Sequence, residues 1–117
     1  MARWAVSPKQ SIGGGFMDNQ NVVFLEGTIV YTPEMVEKDG KKAVNFVVEN
    51  LRTNQNGQSR FKYNCVAWGA IAERYLDRLK EGTFVRITGH LQDNVLELPE
   101  DKIFHYSKTC ANYIEFE

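Results

Sequence analysis

The chain has 117 residues, of which 43% are hydrophobic and 25% are charged, and its formal net charge is −1. This composition is typical of one globular domain and excludes a disordered chain, and no apolar run reaches the roughly 20 residues that a membrane-spanning helix needs. Because the chain is not basic overall, any affinity for phosphate must come from a local cluster of positive charge.

The first twenty residues differ in composition from the rest of the chain. Polar residues accompany the run Gly13-Gly14-Gly15, which predicts a flexible N-terminal arm or extension over residues 1–20. The folded domain is then predicted over residues 21–117. The segment has no apolar signal sequence, so we expect a cytoplasmic protein.

The first predicted strand spans residues 21–31, a run rich in β-branched and aromatic residues that ends before Pro33. Gly27, in the middle of this run, predicts a bulge or a sharp bend of the kind that a small barrel needs. The charged segment 34–42 follows and contains the turn pair Asp39-Gly40. This part of the chain therefore predicts one bent strand and a turn.

Two β-patterned runs, residues 43–53 and 59–68, flank an Asn-Gly pair and predict a long hairpin. Side chains alternate between the two faces of the second run. The face that we assign to the core carries Phe61, Tyr63, Cys65 and Ala67. The other face, which is mixed and suited to a ligand, carries Lys62, Asn64, Val66 and Trp68.

A helix is predicted after the hairpin, because apolar residues recur at helical spacing from Ile71 to Leu79 and Gly82 supplies a stop. Residues 83–91 predict another strand, residues 93–102 an acidic hairpin loop, and residues 103–116 the final strand or strands. Four aromatic residues are assigned to the core: Phe24, Phe46, Tyr75 and Phe84.

The predicted order is strand, two-stranded hairpin, helix, strand and strand. One α-helix between strands 3 and 4 of five is typical of the all-β, five-stranded OB-fold β-barrel, with a long hairpin between its second and third strands. A doubly wound parallel sheet would need helices that alternate with the strands, so that class is excluded.

The chemistry-bearing residues predict no catalytic or metal site. Cys65 and Cys110 lie far apart in predicted strands and are expected to be buried, reduced thiols, although a disulfide remains open on their number alone. His90 and His105 have no metal-ligand spacing to each other or to the cysteines. Scattered carboxylates and the lack of a nucleophile motif argue against a nuclease, so we expect neither an enzyme nor a cofactor.

The order and spacing of several short motifs resemble the bacterial and phage single-stranded DNA-binding proteins. Each motif is loose by itself, and together they cover about residues 21–92, with a weaker similarity over residues 106–116. The motifs are NVVFLEGTI at 21–29, TPE at 32–34, AVNF at 43–46, NCVAWG at 64–69, AE at 72–73, LKEG at 79–82 and VRITGHL at 85–91.

The resemblance implies sequence-tolerant binding and protection of single-stranded DNA during replication, recombination or repair, and a homotetramer, with a dimer as the alternative. In the family an aromatic residue at the position of Trp68 stacks on a base. The position of Lys62 is often aromatic in relatives, so the lysine keeps a phosphate contact and loses a stacking platform. Family members also carry an acidic C-terminal tip that recruits replication and repair proteins. The sequence ends at Glu117 without such a tip, so that recruitment is not carried over.

The predicted hairpin and its approach carry a local excess of positive charge. Residues 38–62 contain six basic and two acidic residues, whereas residues 93–102 contain four acidic residues and one basic residue. Clustered cations beside an aromatic side chain suit a single strand of nucleic acid, while the acidic loop opposes its binding. The predicted DNA-binding residues are Trp68, Lys62, Arg60, Arg52, Lys41, Lys42 and Asn64.

A protein-interaction module of the primosomal kind, which would bind single-stranded DNA only weakly, is the alternative function. The acidic loop and the missing tip favour it, and the cationic hairpin favours the DNA-binding function.

Overall fold

The chain between residues 19 and 117, which is the part that the computed structural model describes, folds into six strands and one short helix. The predicted arm over residues 1–20 falls almost wholly outside these residues. The strands are β1 (Val23–Ile29), β2 (Met35–Lys38), β3 (Lys41–Asn54), β4 (Gly57–Trp68), β5 (Phe84–Leu98) and β6 (Lys102–Phe116). The helix α1 (Gly69–Tyr75) continues into a 3-10 turn at Leu76–Arg78.

Five strands close a barrel in the order β1-β5-β6-β4-β3, and β3 pairs with β1 to complete the circle. All these pairs are antiparallel except β4 with β6, which run parallel. The helix lies between the third and fourth barrel strands in chain order. This topology is that of the OB fold, so the predicted fold class is confirmed.

The core fills the barrel with the inward-facing side chains of all five strands and one face of the helix. Phe46 and Tyr75 are buried there as predicted. Cys65 and Cys110 are free, buried thiols, so the disulfide alternative is wrong. The fully buried side chains include Ile29, Val44, Phe46, Val48, Cys65, Leu79, Val85 and Ile87.

Two of the predicted core aromatics face outwards. Phe24 is 78% exposed, because it alternates with Leu25, whose side chain points into the barrel. Phe84 is only half-buried on the outer side, where the guanidinium carbon of Arg86 lies 5.9 Å from its ring centroid.

The hairpin face assigned to the core is only partly buried. Cys65 and Ala67 are buried as expected, but Phe61 is 40% exposed and Tyr63 is 41% exposed. Both aromatics lie beyond Cys65 and Val66, the two residues of β4 that pair with β6, so β6 does not flank β4 at their positions. On the opposite face, Val66 is buried rather than available to a ligand.

Two segments predicted as turns or loops are strands. The charged segment 34–42 contains β2, which folds back on β3 through the Asp39-Gly40 turn. The acidic segment 93–102 is mostly the end of β5, and only residues 99–101 form the turn to β6. Charged residues are tolerated in these strands because the strands lie outside the core, where side chains remain in water.

Gly27 permits a close approach of strands. The pairing of β1 with β5 passes through Gly27 without a change of register, so the predicted bulge is not there. A Cβ atom at Gly27 would clash with the carbonyl oxygen of Glu49 and would lie 2.6 Å from Cγ1 of Val48. The bare backbone therefore lets β1 pass over β3 where the barrel closes.

The register shift of the barrel lies between β5 and β6. Thr88 is opposite Tyr113 and Gly89 is opposite Ala111, so Asn112 is the extra residue of a bulge in β6. A Cβ atom at Gly89 would clash with the carbonyl oxygen of Cys110. His90 Nδ1 lies 3.0 Å from Oδ1 of the bulged Asn112.

No helix of residues 19–117 is long and apolar enough to cross a membrane.

We expect Gly27→Ala to lower the free energy of unfolding by about 1–3 kcal/mol, because the added methyl group overpacks the β1–β3 crossing. Urea denaturation measures this change. The control is Ser59→Ala on the exposed part of β4, which should change the free energy of unfolding by less than about 0.5 kcal/mol. Equal stability of the two variants would contradict the close approach.

Burial raises the pKa of the Cys65 thiol from 9.0 to about 12. The unfolded chain releases this proton near pH 9 while the folded protein retains it, so stability should fall as the pH rises from 9 to 12, by up to about 4 kcal/mol. Denaturation at several pH values should show a smaller fall in Cys65→Ala than in the wild type. Identical pH profiles of Cys65→Ala and the wild type would contradict the assignment of this loss of stability to the Cys65 thiol.

Candidate nucleic-acid interface

Trp68, at the end of β4, lies on the outside of the barrel and is half-buried. It packs against a small cluster of buried residues, Ala43, Val66 and Cys110, which is separate from the main core. This support explains why Val66 is buried although it shares the outward face of β4 with Trp68. The indole is therefore anchored on one side and partly open to solvent on the other.

The indole nitrogen of Trp68 is tethered by side chains of β5. Nε1 of Trp68 donates a hydrogen bond of 3.3 Å to Oε1 of Gln92. Nε2 of Gln92 donates to Oδ1 of Asn94 over 3.5 Å, and Nδ2 of Asn94 donates to the Gln92 carbonyl over 3.2 Å. The indole N–H is thus satisfied within the protein, which leaves the ring surface, rather than the N–H group, available to a ligand.

An open groove of about 540 Å³ lies on one side of Trp68. Lys38 and Lys41 face each other across the β2–β3 pair at its rim. Asp39, in the turn between these two lysines, is the acidic residue among those that line the groove. The lining residues are Lys38, Asp39, Lys41, Trp68, Gln92 and Asn94.

A second groove of about 420 Å³ borders Trp68 at the start of the helix. Here Nζ of Lys42 lies 2.8 Å from Oε2 of Glu73, and this ion pair raises the pKa of Lys42. Both side chains are about half exposed, so the pair contributes little to stability. Lys42 therefore borders the site, but Glu73 offsets its charge.

Three predicted residues follow Trp68 along the same face of β4. Asn64, Lys62 and Arg60 recur at two-residue intervals and are exposed. Glu49 lies opposite Lys62 on β3, and its Oε1 accepts a bond of 3.3 Å from Nη1 of Arg60. Lys62 and Asn64 thus extend the Trp68 face, while Arg60 is partly neutralised.

Arg52 is the predicted site residue that the fold separates from Trp68. It pairs with Ser59, which alternates to the opposite face of β4 from Arg60 and Lys62. Its guanidinium carbon lies 5.5 Å from the ring centroid of Phe61. Alternation thus places five of the seven predicted residues on one side of the hairpin and leaves Lys42 and Arg52 on the other, although Lys42 still borders the groove at the start of the helix.

Sequence reasoning missed several residues of this face. Lys38, Gln92 and Asn94 line the groove beside Trp68, and Lys108 of β6 lies opposite Gln92. Nζ of Lys108 donates a bond of 2.9 Å to Oδ1 of Asn45 on β3. Alternation along β5 could have predicted that Gln92 and Asn94 share one face. The position of Lys108 could not have been predicted in this way, because it depends on the pairing register of β5 with β6, which the sequence does not show.

The acidic residues of β5 do not lie on the Trp68 face. Asp93 and Glu97 alternate with Gln92 and Asn94 and so point to the opposite side. Oδ2 of Asp93 lies 3.3 Å from Nδ1 of His105. Asp93 and Glu97 thus point away from the Trp68 face, whereas Glu100 and Asp101, the other two acidic residues of segment 93–102, lie in the turn between β5 and β6. Residues 19–117 contain no cluster of three side chains suited to a metal ion.

The sequence of residues 20–116 matches the family model described as "Single-strand binding protein family". A protein of Oceanobacillus iheyensis named "Single-stranded DNA-binding protein" is 27% identical over 100 residues, and "Single-stranded DNA-binding protein 2" of Listeria monocytogenes is 28% identical over 100 residues. Each match covers 82% of this chain and 62% of the relative, so the chain spans less than two thirds of their length. Since the family match runs through the whole barrel, the chain belongs to the single-strand binding protein family.

Proposed function

We propose that the domain of residues 21–117 binds single-stranded DNA through the Trp68 face, without strong sequence preference. The observation that carries this proposal is the partly exposed indole between two grooves that lysines border. Every base has a π-face, so stacking on an indole tolerates any sequence and contributes about 1–3 kcal/mol per base. The two relatives, both named as single-stranded DNA-binding proteins, support the proposal.

Lysines on the same side suit the phosphates of a strand whose base lies on Trp68. Lys38 and Lys41 border the groove, and Lys62 extends the face along β4. Together with Lys108 they provide about four phosphate contacts, which corresponds to a log–log salt slope near −3 for a single strand. Asn64, on the same face, is a polar contact to sugar or base.

The cellular role that suits this activity is the protection of exposed strands in replication, recombination or repair. Binding proteins of this kind need no catalysis, and we propose none here. Cys65 and Cys110 are free thiols, which suits a reducing cytoplasm.

We further propose that the chain self-associates through the outer face of β1, β5 and β6. Phe24, Thr88 and Tyr113 form a cross-strand row there, in which Phe24 is 78% and Tyr113 is 52% exposed. The next row holds both signs of charge, with Nε of Arg86 2.8 Å from Oε2 of Glu26. An exposed aromatic row beside mixed charge suits a second copy of the same surface. A tetramer is the proposed state, with a dimer as the alternative.

The weak-binding, protein-interaction function is favoured by one observation. Lys42 and Arg60 are engaged by Glu73 and Glu49, which reduces the positive charge available to phosphate. This protein-interaction function would be preferred over DNA binding if single-stranded DNA produced no binding signal even at low salt.

We expect Trp68→Ala to weaken binding to a labelled dT oligonucleotide by about 1–3 kcal/mol, because the stacking surface is lost. Fluorescence anisotropy of the oligonucleotide measures the affinity, and circular dichroism checks that the barrel remains folded. Trp68→Phe keeps a ring and should retain most of the affinity.

The matched control is Phe61→Ala, which removes an exposed ring from the opposite face of β4 and should leave the affinity nearly unchanged. Equal affinity of Trp68→Ala and the wild type would contradict the proposed interface. Tight binding of duplex DNA of the same length would contradict the preference for single strands.

We expect Phe24→Lys to reduce the molar mass in solution, because it places a charge in the proposed self-association surface. Size-exclusion chromatography with light scattering measures the mass. The control Leu51→Lys changes an exposed residue of β3 and should preserve the wild-type mass. A monomeric wild type, or an unchanged mass in Phe24→Lys, would rule out this surface.

A further inference from the structure

The side chains of Trp68 and Gln92 meet across a strand that separates their own strands. Trp68 ends β4, Gln92 lies in β5, and β6 runs between β4 and β5 in the sheet. Neighbouring strands lie about 4.8 Å apart, so about 10 Å separates the two backbones across the sheet. Long side chains are needed to span this gap. Trp68 and Gln92 do so, and the small side chain of Cys110 on β6 packs beneath the indole.

The direction of the hydrogen bonds from Trp68 to Asn94 is fixed at both ends. An indole N–H can only donate, so the atom of Gln92 that faces Trp68 is the amide oxygen. A backbone carbonyl can only accept, so the atom of Asn94 that faces the Gln92 carbonyl is the amide nitrogen. Between these ends, Nε2 of Gln92 donates to Oδ1 of Asn94. Asn94 therefore holds the side chain of Gln92 in the one orientation that accepts from the indole.

The support beneath the indole does not set the direction of the ring. Its side chains are small and apolar, and they offer contact without a directional bond: Ala43, Val66 and Cys110. A hydrogen bond, in contrast, depends on both distance and angle. Within residues 19–117, Gln92 is the side chain that hydrogen-bonds the indole, so its oxygen determines how the ring is turned on this support.

The bond to Gln92 also relates the indole to the two grooves beside it. Gln92 and Asn94 line the groove of about 540 Å³ that Lys38 and Lys41 border, whereas Trp68 lines both this groove and the one of about 420 Å³ at the start of the helix. The nitrogen-bearing edge of the indole is thus held on the side of the larger groove. The ring consequently remains between the two grooves and does not turn into either of them.

A ring that is already oriented binds a base at a lower entropic cost. Ordering one mobile side chain on binding weakens an affinity by about 2- to 12-fold. A partly exposed indole without a directional bond would bear this cost at every binding event. With its N–H bound to Gln92, the indole of Trp68 is ordered before a base arrives.

We propose that Gln92, held by Asn94, is a positioning residue that orients the indole of Trp68 for stacking and acts through the indole N–H. This inference rests on the proposed binding of single-stranded DNA. Gln92 also lines the groove, so a direct contact of its amide with DNA is the competing explanation. The two explanations differ in whether the effect of Gln92 depends on the indole N–H.

The first measurement uses the full chain without DNA. In proton–nitrogen correlation NMR spectra, the indole N–H of Trp68 should exchange with solvent about 2- to 12-fold faster in Gln92→Met than in the wild type, because methionine lacks the amide acceptor. Loss of the signal in Trp68→Phe identifies it among the two tryptophans of the chain. Gln58→Met, the same substitution at an exposed position of β4, should leave the exchange unchanged. Equal exchange in Gln92→Met and the wild type would overturn the positioning role.

The second measurement is a double-mutant cycle with a labelled dT oligonucleotide of about eight nucleotides, within the site size of one OB fold. We expect Gln92→Met to weaken binding by about 2- to 12-fold when Trp68 is present. Trp68→Phe keeps a ring but has no N–H, so adding Gln92→Met to this variant should change the affinity little further. Gln58→Met should bind like the wild type.

The outcomes separate this inference from the proposed function. If Gln92→Met weakens binding equally with and without the indole, Gln92 contacts DNA directly and the positioning role is wrong. If Gln92→Met binds like the wild type while Trp68→Ala binds weakly, the inference fails and the proposed function stands. If the wild type binds no oligonucleotide, both fail. Asn94→Ala, which releases Gln92 without replacing it, should give a smaller loss with the same dependence on the indole, and it provides the test if Gln92→Met does not fold.

Discussion

The short parallel contact between β4 and β6 is the constraint on which the proposed binding face depends. Only two residue pairs form it, Cys65 with Thr109 and Val66 with Cys110. It joins the end of one hairpin to the root of the other, and Ala43, Val66 and Cys110 pack beneath Trp68 as a result. Gln92 and Lys108 thereby reach the side of the hairpin that carries Lys62 and Asn64. Without this contact the two hairpins would present separate surfaces.

Alternation along the strands converts a chain of net charge −1 into a surface with distinct charge on its two sides. The same segment of β5 carries amides towards Trp68 and carboxylates away from it, because successive side chains point in opposite directions. Where opposite charges do share a side, they form ion pairs, as Lys42 does with Glu73 and Arg60 with Glu49. Overall composition therefore says little about the charge that a ligand meets on one face.

The sequence was sufficient to predict those features that local patterns determine. The Asn-Gly turn and the strand periodicity gave the long hairpin, and alternation placed Lys62, Asn64 and Trp68 on one face, as the structure has them. Burial was harder to predict, since it depends on how far along each strand the neighbouring strands of the barrel extend. Phe61 and Tyr63 follow the periodicity of the core but lie beyond the part of β4 that pairs with β6, and Phe24 is a large apolar residue that faces outwards. The place of Lys108 depends on the pairing of distant strands, which no local pattern specifies.

The bulge at Asn112 has a consequence for how β6 can change. After the bulge, the even-numbered residue Ile114 points into the barrel. Before the bulge, the odd-numbered residue Ala111 does, so the bulge changes which set of alternating residues faces the interior. Loss of one residue here would turn every side chain of β6 before the bulge to the opposite face of the strand. Phe104, Tyr106, Lys102 and Lys108 would then exchange faces with Ile103, His105 and Ser107. Insertions and deletions near Asn112 are therefore compatible with the present surface only in steps of two residues.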